Sequence, residues 1–421
     1  MYLSVSRSAD AAEGIPRAEV PVRRAGGFVA ANVLALGLVS LVTDVSAEMV
    51  TAVLPLYLVA GLGLSPLAFG FLDGLYGGVT ALVRLLGGHT ADRWQRHKLV
   101  AGAGYALSAA CKPALLLAGS VPLIATVLAV DRTGKGLRTA PRDALISLSS
   151  PPAGQGRAFG VHRAMDTAGA LLGPLAAFGV LAAAPGGYDA VFVVSTCVAL
   201  LGVLVLVLFV RGTGARGGAG SRPTLRTALG TLRLPGVARI CCCAALLGAA
   251  TLSDAFIYLL LQHRVGLPAR LFPLLPVGTA AGFLALAVPL GMAADRLGRW
   301  RVFLAGHAAL LAGYALLLGP VAGPVLVVAV LALHGGFYAA TDGVLMALAG
   351  PLLPGPSRAG GLAILQTGQA LARFACSLAF GAAWTWWGPQ RALWAGTAAL
   401  LAAGAAVVLL RPVPAREAEA R

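Results

Sequence analysis

Acidic side chains recur at helical spacing inside segments that are otherwise apolar. Asp44 and Glu48 lie four residues apart, which places both carboxylates on one face of a helix. A charge near the centre of a bilayer costs roughly 3 kcal/mol or more, so it normally faces a partner or a cavity. A desolvated carboxylate can bind and release a proton as its surroundings change. This pair therefore predicts proton-handling chemistry.

A stripe of mixed charge follows in the fourth apolar segment. Asp131, Lys135, Arg138 and Arg142 recur at intervals of four, three and four, with Arg132 beside them. Such stripes coexist in a membrane only where they meet each other or water. Two hypotheses stay open at this point. The charges form static ion pairs that fix helix packing, or they relay protons and substrate.

We predict that proton coupling depends on a small set of these residues. Asp44, Glu48 and Arg132 are the principal candidates, because alternating spans place them near mid-membrane depth. In the fifth segment, Asp166 lies four residues after His162. The predicted proton-coupling set is Asp44, Glu48, Asp131, Arg132 and Asp166.

The segments that must position these charges have the composition and length of membrane-spanning helices. The chain has 421 residues, of which 58% are hydrophobic and 11% charged. Crossing ~30 Å of hydrocarbon takes about 20 apolar residues in a helix, which satisfies its own backbone. The alternating pattern of a membrane β-barrel is absent. Apolar runs occur at 27–61, 66–90, 98–118, 121–146, 158–183, 189–211, 238–262, 270–294, 301–319, 323–350, 359–385 and 388–411. The predicted fold class is an all-α membrane protein with twelve spans.

Basic residues predict the orientation of the chain. The net charge of +16 comes from 32 Lys and Arg against 16 acids, and the basic residues cluster in short connections. Cytoplasmic connections carry such an excess, so both termini are predicted in the cytoplasm of a cell whose inner membrane holds the chain. A nucleic-acid partner is not expected. The predicted organisation is an N-terminal tail (1–25), a first six-helix bundle (26–211), a linker (212–237), a second six-helix bundle (238–411) and a C-terminal tail (412–421).

A short sequence motif occurs in both halves of the chain, which indicates a duplication. The two copies are Gly88-His89-Thr90-Ala91-Asp92-Arg93 and Gly291-Met292-Ala293-Ala294-Asp295-Arg296, each between apolar runs. Parallel six-helix repeats are a transporter architecture, with the binding site between the halves near mid-membrane. Each carboxylate can latch one conformation by facing a helix N-terminus and nearby arginines. The alternative is a solvated turn that only obeys the charge rule.

These motifs resemble the major facilitator superfamily, in its bacterial twelve-helix drug/proton-antiporter-like branch. The family's loop motif matches both phrases, with Gln95 in place of the second glycine in the first copy. The resemblance implies a cytoplasmic latch at Gly88, Asp92, Arg93, Arg96, Gly291, Asp295, Arg296 and Arg299. Gly169, Gly173 and Pro174 resemble the fifth-helix kink motif of exporters, although simple packing is an alternative.

The resemblance implies export of a small molecule in exchange for protons. Proton-linked uptake is an alternative, and a lipid-handling or non-transporting membrane protein is another. The second half has few charges and several aromatics, which suits an amphiphilic organic molecule, although each aromatic alone could face lipid or pack in the core. The predicted substrate-binding residues are Asp254, Tyr258, Tyr338, Asp342, Gln369 and Arg373.

No cofactor, metal or enzymatic activity is expected from the sequence. The six cysteines show no CxxC spacing, and no nucleophile–base pair or metal-ligand spacing is evident. The expected partners are a small-molecule substrate, protons and the lipid bilayer, and the expected state is a monomer.

Overall fold

The computed structural model describes most of the chain as helices. The described residues are 30–94, 96–151, 155–212, 229–353 and 358–410, and helices are the only regular secondary structure within them. The predicted tails at 1–25 and 412–421 and most of the predicted linker lie outside these residues.

The first half contains six long helices that pack together. They are α1 (Ala31–Leu56, continued by a π turn at Tyr57–Gly61), α2 (Pro66–Trp94), α3 (His97–Leu116), α4 (Val121–Leu148), α5 (Gln155–Ala183) and α6 (Tyr188–Phe209). α1 packs between α5 and α6, while α4 packs between α2 and α3. α4, which has four buried charged residues, and α1, which has Asp44, therefore have helices on both sides.

Within the described residues, the second half contains seven α-helices. They are α7 (Pro235–Gly248), α8 (Asp254–Val265), α9 (Leu274–Leu297), α10 (Arg299–Leu318), α11 (Gly323–Ala349), α12 (Arg358–Trp387) and α13 (Pro389–Leu410). α11 packs against α9 and α10, and α12 packs against α7 and α13. Because α7 and α8 together occupy the seventh predicted span, thirteen helices fill the twelve predicted spans.

Nine helices in the described part of the chain are long and apolar enough to cross a membrane. α4 is not among them, since six charged residues interrupt it. The central helix of the first half is therefore too charged to face lipid. Its charged side needs the partners that neighbouring helices provide.

The seventh span is broken, although the sequence predicts one continuous apolar run over 238–262. α7 ends at Gly248 and α8 begins at Asp254. Ser253 caps α8 by accepting a hydrogen bond from the Phe256 amide at 3.4 Å. The freed Leu252 amide donates to the Tyr314 hydroxyl of α10 at 2.8 Å. Non-helical backbone is tolerated at membrane depth only where such partners satisfy it.

The two halves meet closely along α2 and α12, at the end opposite Ala31 of α1 and Leu410 of α13. Gly70 and Gly74 of α2 lie against α12, where a Cβ at Gly70 would come within 2.3 Å of the Ser377 carbonyl oxygen. A Cβ at Gly381 of α12 would come within 2.4 Å of the Pro66 carbonyl oxygen. These helices approach this closely because glycine has no side chain.

Candidate functional site

Ion pairs join the charged stripe of α4 to acids of α1 and α5. The pairs are Lys135 Nζ with Glu48 Oε1 at 3.8 Å, Arg138 Nη2 with Asp44 Oδ1 at 3.1 Å, and Arg142 Nη1 with Asp166 Oδ1 at 3.5 Å. Asp44 and Glu48 are four residues apart on α1, and their partners Arg138 and Lys135 are three residues apart on antiparallel α4. Both spacings are about one helical turn, so the two pairs form side by side. Three of the five predicted coupling residues thus face basic residues of α4.

Asp131, four residues before Lys135 on the same stripe of α4, has hydrogen-bond partners on both of its oxygens. Its Oδ1 accepts hydrogen bonds from the Ser108 hydroxyl and from Lys112 Nζ, the latter at 2.9 Å. Its Oδ2 accepts from Arg132, with Nε at 3.0 Å. The Arg132 guanidinium also lies over the Tyr76 ring, 3.8 Å from its centre. Both oxygens of Asp131 are occupied, so this carboxylate has a strong structural role in joining α3 to α4.

A cavity of about 450 Å³ lies between the two halves. Glu48 and Tyr76 line it from the first half, and the start of α8 lines it from the second. The six predicted substrate-binding residues all line it: Asp254, Tyr258, Tyr338, Asp342, Gln369 and Arg373. The structure therefore brings residues of α8, α11 and α12 to one space that is shared with Glu48.

Asp254 lies at the first residue of α8, directly after the break in the seventh span. Its Oδ1 is 2.9 Å from His334 Nε2 and accepts a hydrogen bond from the Tyr338 hydroxyl at 2.6 Å. The Tyr258 hydroxyl donates instead to Thr279 Oγ1 at 2.9 Å. The acid at a helix N-terminus is favoured by the helix dipole, which stabilises its negative charge.

The three remaining predicted residues of the cavity have fewer protein partners. Arg373 forms no ion pair within the described residues, and its buried Nε has no hydrogen-bond partner there. Asp342 is exposed, and Gln369 is half-buried. These polar groups are available to a molecule in the cavity.

The comparison with protein families identifies this architecture. A family profile described as Major Facilitator Superfamily matches residues 36–286, more than half of the chain. The chain belongs to the major facilitator superfamily. The chain is therefore a multi-pass membrane protein of a family of secondary transporters.

Relatives and solved structures agree with this assignment. An uncharacterised MFS-type transporter of Methanocaldococcus jannaschii is 40% identical over 144 residues, which is 34% of this chain and 35% of the relative. The match thus spans about a third of that relative. A point mutant of the nucleoside transporter NupG has a TM-score of 0.77 at 16% identity, covering 90% of this chain and 99% of NupG. The peptide transporter POT in complex with sulfate has a TM-score of 0.72 at 16% identity, covering 91% and 94%. At these identities the structures share the fold.

The duplicated loop phrases of this transporter are described in part. Gly88 lies in α2, the side chains of Asp92 and Arg93 are outside the described part, and Arg96 is exposed before α3. In the second copy, Asp295 Oδ1 is 3.6 Å from Arg299 Nη2, and Arg299 Nη1 donates to the Ala347 carbonyl oxygen at 2.8 Å.

The exporter-like motif of α5 faces α1. A Cβ at Gly169 would come within 2.5 Å of the Leu41 carbonyl oxygen, and one at Gly173 within 2.7 Å of the Glu48 Cβ. Pro174 lies beside them inside the helix. The motif therefore lets α1 approach α5 at the position of a predicted coupling carboxylate.

Asp73 is a site residue that sequence reasoning did not select. It lines the cavity from α2, and its Oδ2 accepts a hydrogen bond from the Ser377 hydroxyl of α12 at 2.8 Å. An acid inside an apolar run was its only signal, since the partner is 304 residues away. The bond joins the two halves of the transporter where α2 and α12 meet.

Proposed function

We propose that this transporter is a proton-coupled antiporter that exports a small amphiphilic organic molecule across the inner membrane. The observation that supports this most is the position of Glu48. It is the one predicted coupling carboxylate among the residues that line the cavity. A proton on Glu48 and a substrate in the cavity can therefore influence each other directly.

The Glu48–Lys135 pair is suited to break and re-form. Its atoms are 3.8 Å apart, and the side chains are 27% and 29% exposed. The neighbouring Asp44–Arg138 pair is shorter, at 3.1 Å, and only 12% and 5% exposed. Partly solvated pairs contribute little stability, whereas a fully buried pair is costly to break. Glu48 is the carboxylate that can gain a proton with the least disruption.

The other predicted coupling residues would support Glu48 in this proposal. Asp44 and Asp166 neutralise the arginines that follow Lys135 on α4, and Asp131 holds Arg132 in place. Arg132 reaches the cavity wall through its contact with Tyr76. The buried pairs then keep α1 and α4 aligned while Glu48 changes its charge.

The two halves contact each other through α2 and α12 at the end opposite Ala31 of α1 and Leu410 of α13. With both termini in the cytoplasm, as the loop charges predict, the closed α2–α12 contact lies on the outer side and the conformation faces inward. Rocking of bundles 26–211 and 238–411 would open that contact and close the cytoplasmic side. The loops with Asp92 and Asp295 would latch that second state. Asp295 now pairs only within its own loop among the described residues, which fits a released latch.

Everted membrane vesicles test the proposal. A preformed inside-acid gradient, followed with a pH-sensitive dye, should collapse when a transported organic cation, zwitterion or neutral amphiphile is added. Glu48→Gln should abolish this collapse. Asp189→Asn, an exposed acid at the start of α6, is the matched control and should behave as wild type.

Two outcomes would contradict the proposal. Accumulation of the same molecules in energised right-side-out cells would instead support proton-linked uptake. If the protein transports none of these molecules, and Asp44→Asn and Arg132→Ala leave its function intact at normal expression, a lipid-handling or non-transporting role would replace both.

A further inference from the structure

Two oppositely charged side chains line the second-half wall of the cavity without forming a salt bridge. Asp254 of α8 and Arg373 of α12 both line the cavity, and no ion pair joins them within the described residues. Opposite charges attract strongly where water is scarce. Because they remain apart in this structure, the space between them can accept a ligand that contacts both.

One oxygen of Asp254 is left for such a ligand. Oδ1 already faces His334 Nε2 and the Tyr338 hydroxyl, whereas Oδ2 has no hydrogen bond within the described residues. The side chain is 44% exposed, while His334 is only 2% exposed. Buried His334 and half-buried Tyr338 fix the carboxylate against the wall, so that its free oxygen is an acceptor for a donor in the cavity. A protonated amine satisfies that acceptor with a charge-assisted hydrogen bond.

Arg373 requires the opposite chemistry. Its Nε is buried without a hydrogen-bond partner, and its guanidinium has no counter-ion within the described residues. A guanidinium presents its donors in a planar fork that matches a carboxylate or phosphate. An anionic group of a ligand in the cavity would balance the charge of this guanidinium.

Aromatic rings contribute apolar surface to the same cavity. Phe337 of α11 and Phe374 of α12 line the same cavity beside these two charged groups. We propose that the cavity binds a zwitterion, with its amine at Asp254, its anionic group at Arg373 and an apolar body against these rings. This inference rests on the proposed function only in taking this cavity as the substrate site.

Matched ligand triplets test the two contacts separately. The purified full chain in detergent micelles is titrated with L-tryptophan, tryptamine and indole-3-propionate, and then with L-phenylalanine, phenethylamine and 3-phenylpropionate. Thermal unfolding reports binding, because a ligand specific for the folded state raises the midpoint. We expect each zwitterion to bind about tenfold or more tightly than its amine or its acid, the effect of one charge-assisted hydrogen bond.

Two variants assign each group of the ligand to its side chain. Asp254→Asn should weaken binding of the zwitterions and the amines by about tenfold and leave binding of the acids unchanged. Arg373→Gln should weaken binding of the zwitterions and the acids and leave binding of the amines unchanged. Asp189→Asn and Arg391→Gln, exposed residues away from the cavity, are the controls and should bind as wild type.

Three results would overturn the inference. The first is that the amines bind as tightly as the zwitterions. The second is that both variants lose binding of all ligands alike. The third is that neither zwitterion raises the unfolding midpoint. The equilibrium measurement needs no proton gradient and no direction of transport. Its failure would therefore leave the Glu48 vesicle result standing, and failure of proton coupling would leave the binding preference standing.

Discussion

Gly173 of α5 packs directly against Glu48 of α1. A Cβ at Gly173 would come within 2.7 Å of the Glu48 Cβ and 2.8 Å of the Val45 carbonyl oxygen. Real Cβ atoms do not approach so closely, so an added methyl group must displace α1. The motif that resembles an exporter signature thus sets the position of the carboxylate that faces the cavity.

This contact predicts that Gly173→Ala impairs coupling by shifting Glu48 relative to Lys135. Overpacking of this kind costs about 1–3 kcal/mol. Proton-driven transport in everted vesicles should fall severalfold, while the protein still folds. Gly179→Ala, on the same helix with no neighbouring atom within 4 Å of its added Cβ, is the control. Equal losses in both variants would mean that helix α5 tolerates no alanine, and that the Glu48 contact is unimportant.

The glycines of α2 predict a second effect, on the contact between the halves. Gly70→Ala should separate α2 from the Ser377 carbonyl of α12 and lower the population of the closed state at that end. Cross-linking of Leu67→Cys with Thr385→Cys measures this population, because the Leu67 amide donates to Thr385 Oγ1 at 3.0 Å. The pair is placed in a background in which the six native cysteines are replaced.

The control for this experiment is Gly77→Ala. It lies two turns further along α2, and its added Cβ would have no neighbour within 4 Å. Cross-linking should drop with Gly70→Ala and stay at the wild-type level with Gly77→Ala. If Gly70→Ala cross-links as efficiently as wild type, the closed contact does not depend on this close approach.

The buried Asp44–Arg138 pair predicts a stability effect that the Glu48 pair should lack. Arg138→Met leaves Asp44 buried without its 3.1 Å partner and should lower the free energy of unfolding by about 3–5 kcal/mol. Replacing both members, as Asp44→Asn with Arg138→Met, should restore most of that loss. Unfolding by SDS titration in mixed micelles measures it. Additive losses in the double variant would show that the two side chains are not coupled.

The break between α7 and α8 predicts a dependence on one hydroxyl group. Tyr314→Phe leaves the buried Leu252 amide without its acceptor and should cost about 1–3 kcal/mol of unfolding free energy. Tyr105→Phe is the matched control, because the buried Tyr105 hydroxyl has no hydrogen-bond partner within the described residues. Equal unfolding midpoints for the two variants would show that water satisfies the amide instead.

Much of the fold follows from local pattern in the sequence. Apolar runs of membrane length predict helices, and the repeated Gly-x-x-x-Asp-Arg phrase predicts two related halves. Helical spacing also places Asp44 beside Glu48, and Lys135 beside Arg138. The break in the seventh span was missed, although Ser253 before an apolar run is an N-cap signal.

The sequence by itself determined the membrane fold, the family and the residues whose charge must be compensated, since periodicity and composition are local properties of the chain. Tertiary structure decided which charges compensate which. Glu48 faces the cavity while Asp131 is sealed among its partners, and Asp73 bonds to Ser377 from 304 residues away. The physical reason is that burial and pairing depend on which helices pack together, and helical spacing specifies a face of one helix without naming its neighbour.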